Sequence, residues 1–278
     1  MRFSAGEAAF EGFRVTRHHP AALLGWALIW LASLIATALT ALPILQPVLG
    51  DLQTMMQTMA AGGQSEPSLA IQARMTYAMW ATLPVSLVTQ AILMPALYRA
   101  MQDEGRDRFA FLRLGRDELR MLGTLTILAL ISLALNQIGE LAVALSQGSN
   151  LSAVGGLVSV LASFASIFLS VRLVLAAPAT FANARIDLKS AWEMTARVFW
   201  PLFGMAIIAG VMACIVVLLL VIIALPISGI MTANQGPSPA GMVAALALLA
   251  LVSIGAALVT TIVTAPFMAA YREMIGQA

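Results

Sequence analysis

The sequence predicts an all-α bundle of membrane-spanning helices, and three observations support this fold class. Of 278 residues, 60% are hydrophobic and only 10% are charged, and the mean hydropathy is +0.92. Soluble domains carry about 25% charged residues, so this chain has too few charges to cover a water-facing surface. Its apolar residues also fall in stretches of about 20 or more, the length that a helix needs to cross a bilayer. We therefore expect a polytopic membrane protein, with a single integral membrane domain over residues 1–278.

Six stretches of the chain are long and apolar enough to be spans. Because backbone polar groups find no water in lipid, each stretch must be helical rather than part of an open sheet. Pro226 and Gly229 interrupt the far end of the fifth stretch, which predicts a kink or an early exit near Pro226, with a re-entrant segment as the alternative. The spans are expected at about 21–48, 75–98, 121–146, 152–182, 200–231 and 240–270.

Arginine and lysine residues fall almost entirely on one side of these spans. The N-terminal segment and the regions that follow the even-numbered spans hold them, whereas the three other loops hold only Arg74. Cytoplasmic loops retain such cations, so both termini are expected to be cytoplasmic, with the first span doubling as the insertion signal. The cations counted here are Arg2, Arg14, Arg17, Arg99, Arg106, Arg108, Arg113, Arg116, Arg120, Arg185, Lys189, Arg197 and Arg272.

The even-numbered spans end alike, which predicts three successive helical hairpins with repeats at about 1–105, 106–187 and 188–278. Each ends with a proline, an aromatic residue and an arginine, and the prolines are separated by 83 and 88 residues. A partly polar, amphipathic stretch precedes each hairpin and is expected to lie as a helix at the interface, with its apolar face in the lipid. The closing motifs are Pro95-Ala-Leu-Tyr98-Arg99, Pro178-Ala-Thr-Phe181 running to Arg185, and Pro266-Phe-Met-Ala-Ala-Tyr271-Arg272; the leading stretches contain Ala9-Phe10-Glu11, Phe111-Leu112-Arg113 and Ser190-Ala191-Trp192-Glu193.

Aligned on these prolines, the residues six positions earlier are Thr89, Arg172 and Thr260. They would share one depth if the repeats pack around a pseudo-threefold axis. Arg172 lies inside a long apolar helix, where ionisable side chains often mark function. It either binds an anionic head group or carboxylate, or it snorkels from the helix end to water or lipid phosphate. We take the three residues as candidate contacts for a lipid or a solute.

A polar cluster of Asn136, Gln137 and Glu140 lies near the outward end of the third span. Asn136 and Glu140 are four residues apart and therefore share one helical face. Hydrogen bonding to neighbouring helices is the favoured interpretation, because polar side chains commonly link helices in lipid. Binding of a cation or a proton is the alternative.

Tryptophan and tyrosine residues fall mostly near the predicted span ends. This position is typical of an aromatic belt that anchors helices at the two membrane interfaces. The residues are Trp26, Trp30, Trp80, Trp192, Trp200, Tyr77, Tyr98 and Tyr271.

No motif in the sequence indicates a reaction. A P-loop, G-x-S-x-G, H-E-x-x-H and a Cys/His ligand set are all missing, and Cys214 is the single cysteine. We therefore predict no catalytic residue, no metal site and no cofactor. The net charge of +2 favours attraction of the inner arginines to anionic lipid head groups over binding of nucleic acid. Protein partners are not indicated.

The start Phe199-Trp200-Pro201 and the Pro-then-Tyr-Arg exits resemble bacterial six-span families grouped around the membrane domain of glycerophosphodiester phosphodiesterases. The resemblance covers nearly the whole chain and implies a bacterial inner-membrane location. It does not imply phosphodiesterase activity, because no soluble phosphodiesterase domain is expected in this sequence.

Two functions stay open at this point. The first is a non-enzymatic integral membrane protein, such as a scaffold or an accessory factor in envelope or lipid homeostasis. It predicts that no polar cavity lies within the bundle. The second is a small-solute or lipid transporter with a site between the repeats, near Thr89, Arg172 and Thr260. Transport normally needs several converging polar groups, and their scarcity in this sequence favours the first function.

Overall fold

The computed structural model describes residue 8 and residues 10–63, 67–102, 110–146, 152–233 and 238–276. Within these ranges the regular secondary structure is helical throughout, which confirms the all-α fold class. The helices are α1 (Glu11–His18), α2 (Pro20–Leu45), a 3₁₀ turn (Gln46–Val48), α3 (Leu49–Ala60), α4 (Leu69–Met101), α5 (Arg116–Ser146), α6 (Ser152–Leu173), α7 (Ala176–Asn183), α8 (Leu188–Arg197), α9 (Phe199–Ala233) and α10 (Pro239–Ile275).

Six segments in the described part of the chain are long and apolar enough to cross a membrane. They coincide with the six predicted spans, so the chain is a multi-pass membrane protein. Several helices run past the predicted span ends, since α4 begins at Leu69 and α5 at Arg116. These additional turns are accommodated by the head-group regions, which lie outside the hydrocarbon core.

Proline acts differently in the fourth and fifth spans. The ring of Pro178 would clash with the carbonyl of Val174 in a continuous helix, and the chain turns at Val174–Leu175, which divides the fourth span into α6 and α7. By contrast, α9 continues through Pro226 to Ala233. The helix therefore neither ends nor turns back at Pro226, so the re-entrant alternative is wrong, and the predicted kink stays a prediction. Membrane helices tolerate such a proline when the surroundings compensate for the lost hydrogen bond.

Consecutive helices pack in pairs, α2 with α4, α5 with α6, and α9 with α10. Three hairpins would require this pairing, and the threefold repeat itself stays a prediction. Between pairs, α10 packs against α2 and α4, and α4 packs against α5. The α5–α6 pair reaches α10 mainly through the short helix α7. A gap is therefore left where the three pairs meet.

Two of the predicted interfacial stretches form the short helices α1 and α8. Part of the apolar face of α1 packs on protein, because Gly12 and Val15 are buried and α1 packs against α10, whereas Phe10 just before α1 is 55% exposed. Gly12 permits this contact, since a Cβ placed there would lie 2.6 Å from the Cα of Ile262. In the middle stretch, residues 110–115 are not helical, and the chain enters α5 directly at Arg116.

Some sequence predictions fall outside the described ranges. These are the cations Arg2, Arg106 and Arg108, the residue Ala9 of the first leading stretch, and the boundary between the first two repeats at 105–106.

The buried core lies toward one end of the bundle. Its largest side chains include Trp26, Tyr98, Met121 and Tyr271. The same end holds α1, α8 and the connection before α5, where most of the described arginines occur, and we call it the arginine-rich end. Toward the opposite end the helices expose large apolar side chains, which lipid tails must cover. Examples are Leu39, Leu145, Leu157, Leu218 and Val243.

Replacing Gly12 with alanine should destabilise the protein. Alanine normally stabilises a helix by about 0.5–1 kcal/mol relative to glycine, but here the new methyl group would meet the backbone of α10. We expect a net loss of about 1–3 kcal/mol from overpacking, measured by thermal unfolding in detergent micelles. Gly204→Ala is the matched control, because a Cβ at Gly204 meets no atom within 4 Å. Equal stability of the two variants would contradict close packing of α1 on α10.

Candidate functional site

A partly open cavity of about 250 Å³ lies where the three helix pairs meet. Five helices form its walls, namely α4, α5, α6, α7 and α10. All five belong to segments that are long and apolar enough to span a membrane. The volume of the cavity is just below the range of about 300–1,000 Å³ that is typical of small-molecule pockets. It therefore has room for part of a lipid chain and not for a whole lipid.

The lining of the cavity is almost entirely apolar. Its hydroxyl-bearing residues are Tyr98, Ser132, Ser170 and Thr264, and none of the described residues that line it is charged. Two of these hydroxyls are already used, since Ser170 and Thr264 donate to carbonyls one turn earlier in their own helices. An ionic solute would lose its hydration here without gaining a partner, which is costly. The lining is therefore suited to the hydrocarbon chain of a bound molecule.

A buried ion pair joins α4 to α5 beside the cavity. Nη2 of Arg99 lies 2.7 Å from Oε1 of Glu118, and both side chains are less than one-tenth exposed. The other carboxylate oxygen of Glu118 accepts a hydrogen bond of 2.8 Å from the backbone N–H of Gly115. Glu118 therefore caps the first turn of α5, as the third residue of a capping box does. A buried pair needs such additional hydrogen bonds to offset the cost of desolvation.

The turn at Ala110–Phe111 is held by side chains from α2 and α4. Both residues adopt a left-handed conformation, with φ of 55° and 59°, which is unfavourable for residues other than glycine. Nε1 of Trp26 donates to the carbonyl of Ala110 at 3.0 Å, and Nη1 of Arg99 donates to that of Phe111 at 3.2 Å. Gly25 allows α2 to approach, since a Cβ there would lie 2.5 Å from the Cβ of Ala110. These contacts lock α2, α4 and the start of α5 together.

Arg172 lies in the last turn of α6 and packs on α8. Its Cζ is 4.2 Å from the ring centroid of Trp192 and 5.8 Å from that of Phe168, and its Nη1 donates to the carbonyl of Trp192 at 3.3 Å. Its Nε is buried without a hydrogen-bond partner. No described carboxylate forms an ion pair with it. The side chain is half-buried and does not line the cavity.

The two threonines aligned with Arg172 also lie away from the cavity. Thr89 is buried and donates to Oγ of Ser33 on α2 at 2.8 Å. Thr260 is half-buried beside a void of about 10 Å³, which it shares with Trp30. Nε1 of Trp30 is buried without a partner, and a void of this size holds about one water molecule. The three aligned residues therefore have three different surroundings and do not converge.

The cluster of Asn136, Gln137 and Glu140 is exposed on α5. Gln137 donates to Glu140 at 3.4 Å. We expected hydrogen bonds from these side chains to a neighbouring helix, and the described part of the chain shows none. The helix contact at this level is made by Gly139, whose missing side chain lets α6 approach at Ser159 and Ala162.

Three aromatic residues of the predicted belt are core residues instead. Trp26, Tyr98 and Tyr271 are only 3%, 1% and 2% exposed. Trp200, at 76% exposed, fits the predicted belt. Position near a span end does not separate the two roles, because the core of this bundle itself lies at the arginine-rich end.

Asp187 fixes the connection between α7 and α8. It accepts a hydrogen bond from the backbone N–H of Ser190 at 3.1 Å and one from Nη2 of Arg185 at 2.9 Å. The Ser190 N–H, together with the side chains of Arg185 and Asn183, holds the pKa of Asp187 below its ordinary value of 3.8 despite its burial. The carboxylate is therefore charged at neutral pH and caps the start of α8.

A second, more open cavity of about 280 Å³ at the arginine-rich end is lined by α1 and the end of α4, with Glu11, Arg14, His18 and His19 as its polar residues. No three His, Cys, Asp or Glu side chains among the described residues are close enough to hold a metal ion. Cys214 is exposed on α9. The apolar cavity between the helix pairs is suited to binding an apolar chain.

Comparison of the chain with protein-family models, with curated proteins and with solved structures finds no match. The resemblance to the membrane domain of glycerophosphodiester phosphodiesterases therefore stays a prediction.

Glu118→Gln should destabilise the protein, because the buried Arg99 then keeps only its longer ion pair of 3.5 Å with Asp117, which is partly exposed and also pairs with Arg120. We expect a loss of about 3–5 kcal/mol, measured by thermal unfolding in detergent micelles. Arg99→Met combined with Glu118→Met should recover most of this loss, since no buried charge remains.

The matched control is Glu193→Gln, which removes the exposed pair with Lys189 at 3.8 Å. Exposed pairs contribute at most about 1 kcal/mol. If Glu118→Gln unfolds at the same temperature as this control, the Arg99–Glu118 pair does not carry the stability assigned to it.

Proposed function

We propose that this chain is a non-enzymatic multi-pass protein of the bacterial inner membrane that binds an acyl chain of a membrane lipid. It serves as a scaffold or an accessory factor in envelope or lipid homeostasis. The apolar cavity between the helix pairs is the observation that carries the proposal. Its lining is almost entirely apolar, which supports binding of a hydrocarbon chain.

The binding energy of an acyl chain in this cavity comes from packing. Lipid tails are already in an apolar environment, so transfer into the cavity adds no hydrophobic gain. What favours the bound chain is contact with a shaped wall, at about 0.1–0.2 kcal/mol for each pair of atoms. Residues such as Leu128, Val263 and Phe267 provide that wall. The affinity should therefore depend closely on cavity shape.

Ser132→Phe should reduce lipid binding because its ring would fill part of the cavity. Loss of about ten atom contacts corresponds to about 1–2 kcal/mol, or about tenfold in affinity. The measurement is photo-crosslinking of a phospholipid with a diazirine in mid-chain, followed by mass spectrometry of the labelled peptides. Labelling of peptides that contain Leu128 and Val263 should fall in the variant.

Ser163→Phe is the matched control, since Ser163 lies on an exposed face of α6 outside the cavity. It should leave the labelling unchanged. Equal labelling of the cavity and of exposed residues such as Leu218 in the natural protein would argue against the proposal.

A lipid transporter is the alternative, and the position of the cavity between the helix pairs favours it over a transporter for a small polar solute. A scrambling assay in liposomes separates the two functions. Exchange of lipid between leaflets that Ser132→Phe abolishes would support transport, whereas binding without exchange supports an accessory factor.

The proposed orientation places the arginine-rich end and both termini in the cytoplasm. Arginines such as Arg113, Arg116 and Arg185 lie at that end, and Arg74 lies at the other. Anionic head groups of the inner leaflet attract such cations. Membrane lipids, and not nucleic acid, are therefore the proposed partners.

Cysteine labelling tests this orientation in a Cys214→Ala background. Leu114→Cys and Leu69→Cys are matched, since the two leucines are 83% and 84% exposed at opposite ends of the bundle. An impermeant maleimide added to intact spheroplasts should label position 69 only, and lysis should make position 114 reactive. Labelling of position 114 before lysis would reverse the orientation.

A further inference from the structure

We infer that Arg172, with the aromatic side chains around it, binds the phosphate of an anionic phospholipid at the membrane surface. This site is separate from the apolar cavity, so the inference goes beyond the proposed function.

The charge of Arg172 is not neutralised within the described part of the protein. Several other described cations have a carboxylate partner, as Arg99 has Glu118 and Arg185 has Asp187, whereas Arg272, like Arg172, donates to a backbone carbonyl. The acid on α8 nearest in sequence to Trp192 is Glu193, which pairs with Lys189 at 3.8 Å. Arg172 has only the carbonyl of Trp192. A guanidinium has five N–H donors, so most of those on Arg172 lack an acceptor.

An aromatic cluster surrounds this guanidinium. Phe168 contacts Trp192 and Phe199, with ring centroids 6.4 Å and 5.3 Å apart, and Phe199 packs against Trp200 and Phe203. Tryptophan side chains concentrate at the membrane interface, and Trp200 is largely exposed there. By this preference of tryptophan, the inferred site has Arg172 at the level of the lipid phosphates.

The chemistry of the site selects a phosphate. The planar guanidinium offers parallel N–H donors that match phosphate oxygens, and charge-assisted hydrogen bonds of this kind are the strong ones. The ring of Trp192 supports one face of the guanidinium at 4.2 Å, which limits the side chain's freedom before the ligand binds. The surrounding rings offer contact to glycerol and the first acyl carbons. A phospholipid can therefore contact both the guanidinium and the aromatic rings, whereas free phosphate can contact only the guanidinium.

Native mass spectrometry of the detergent-solubilised full chain tests the inference. The probes are phosphatidylglycerol, phosphatidylcholine and inorganic phosphate, each titrated separately. Arg172→Gln should weaken phosphatidylglycerol binding about tenfold or more, the factor expected for a lost charge-assisted hydrogen bond. The phosphatidylglycerol affinity of Arg172→Lys should lie between those of the natural protein and of Arg172→Gln, because lysine keeps the positive charge but lacks the parallel N–H donors of the guanidinium. Arg74→Gln, at the opposite end of the bundle, should bind as the natural protein does.

Three results would overturn the inference. They are unchanged phosphatidylglycerol binding in Arg172→Gln, an equal loss in Arg74→Gln, and displacement of the lipid by inorganic phosphate at equal concentration. If Arg172→Gln does not fold, the Arg172→Lys variant is measured instead. If Arg172 only holds α6 against α8, this variant should unfold at a lower temperature but bind phosphatidylglycerol with unchanged affinity. In a Ser132→Phe background, where binding in the cavity is already reduced, adding Arg172→Gln should still weaken phosphatidylglycerol binding about tenfold, so failure of this site and failure of the cavity are distinguishable.

Discussion

The buried pair of Arg99 and Glu118 is the constraint around which the arginine-rich end is built. A lone guanidinium would have to reach water, and a lone carboxylate would leave the start of α5 uncapped. Together they neutralise each other at 2.7 Å while Glu118 caps α5 and Arg99 holds the carbonyl of Phe111. The second helix pair is therefore positioned on the first by electrostatics in a low-dielectric setting, where a missing partner is expensive.

The third helix pair is attached by different means. Gly12 lets α1 lie against the backbone of α10, and Nη1 of Arg272 donates to the carbonyl of Met101 at 2.8 Å. Beside the second pair, the hydroxyls of Thr124 and Thr180 hydrogen-bond at 3.0 Å and join α7 to α5. These contacts all lie at one end, and the cavity adjoins them on the membrane side. The close packing of the helices at the arginine-rich end and the cavity beside it thus both follow from the concentration of these contacts at one end.

Most of the fold could be predicted from the sequence, because transfer of a stretch into lipid depends on its own composition. The spans and the grouping of cations are local properties of this kind. The role of Arg99 is not a local property, since its partner Glu118 lies 19 residues further along the chain. The turn at Ala110–Phe111 lies between the two residues. The sequence does contain Gly115 and Glu118 at capping-box spacing, and that signal indicates the helix start but not the ion pair.

The candidate site was less predictable for the same physical reason. Arg172 stands out in the sequence as a cation inside an apolar stretch, but its contacts with Trp192 depend on how α8 folds back on α6. The break at Val174–Leu175 and the continuous helix at Pro226 show that proline alone does not determine where a membrane helix stops. The cavity is lined by ordinary apolar residues from five helices, so no single stretch of sequence indicates it.

The concentration of the core at one end has a mechanical consequence. Where side chains interlock, the distance between helices is set by the protein; where lipid tails fill the space, it is set by the bilayer. Helices adapt to a thicker or thinner hydrocarbon region by tilting, at a small energetic cost. In this bundle, most of the tilting would occur in the half where lipid tails fill the space between helices. The cavity lies at the border between the two halves, so its width would vary with the thickness of the surrounding membrane.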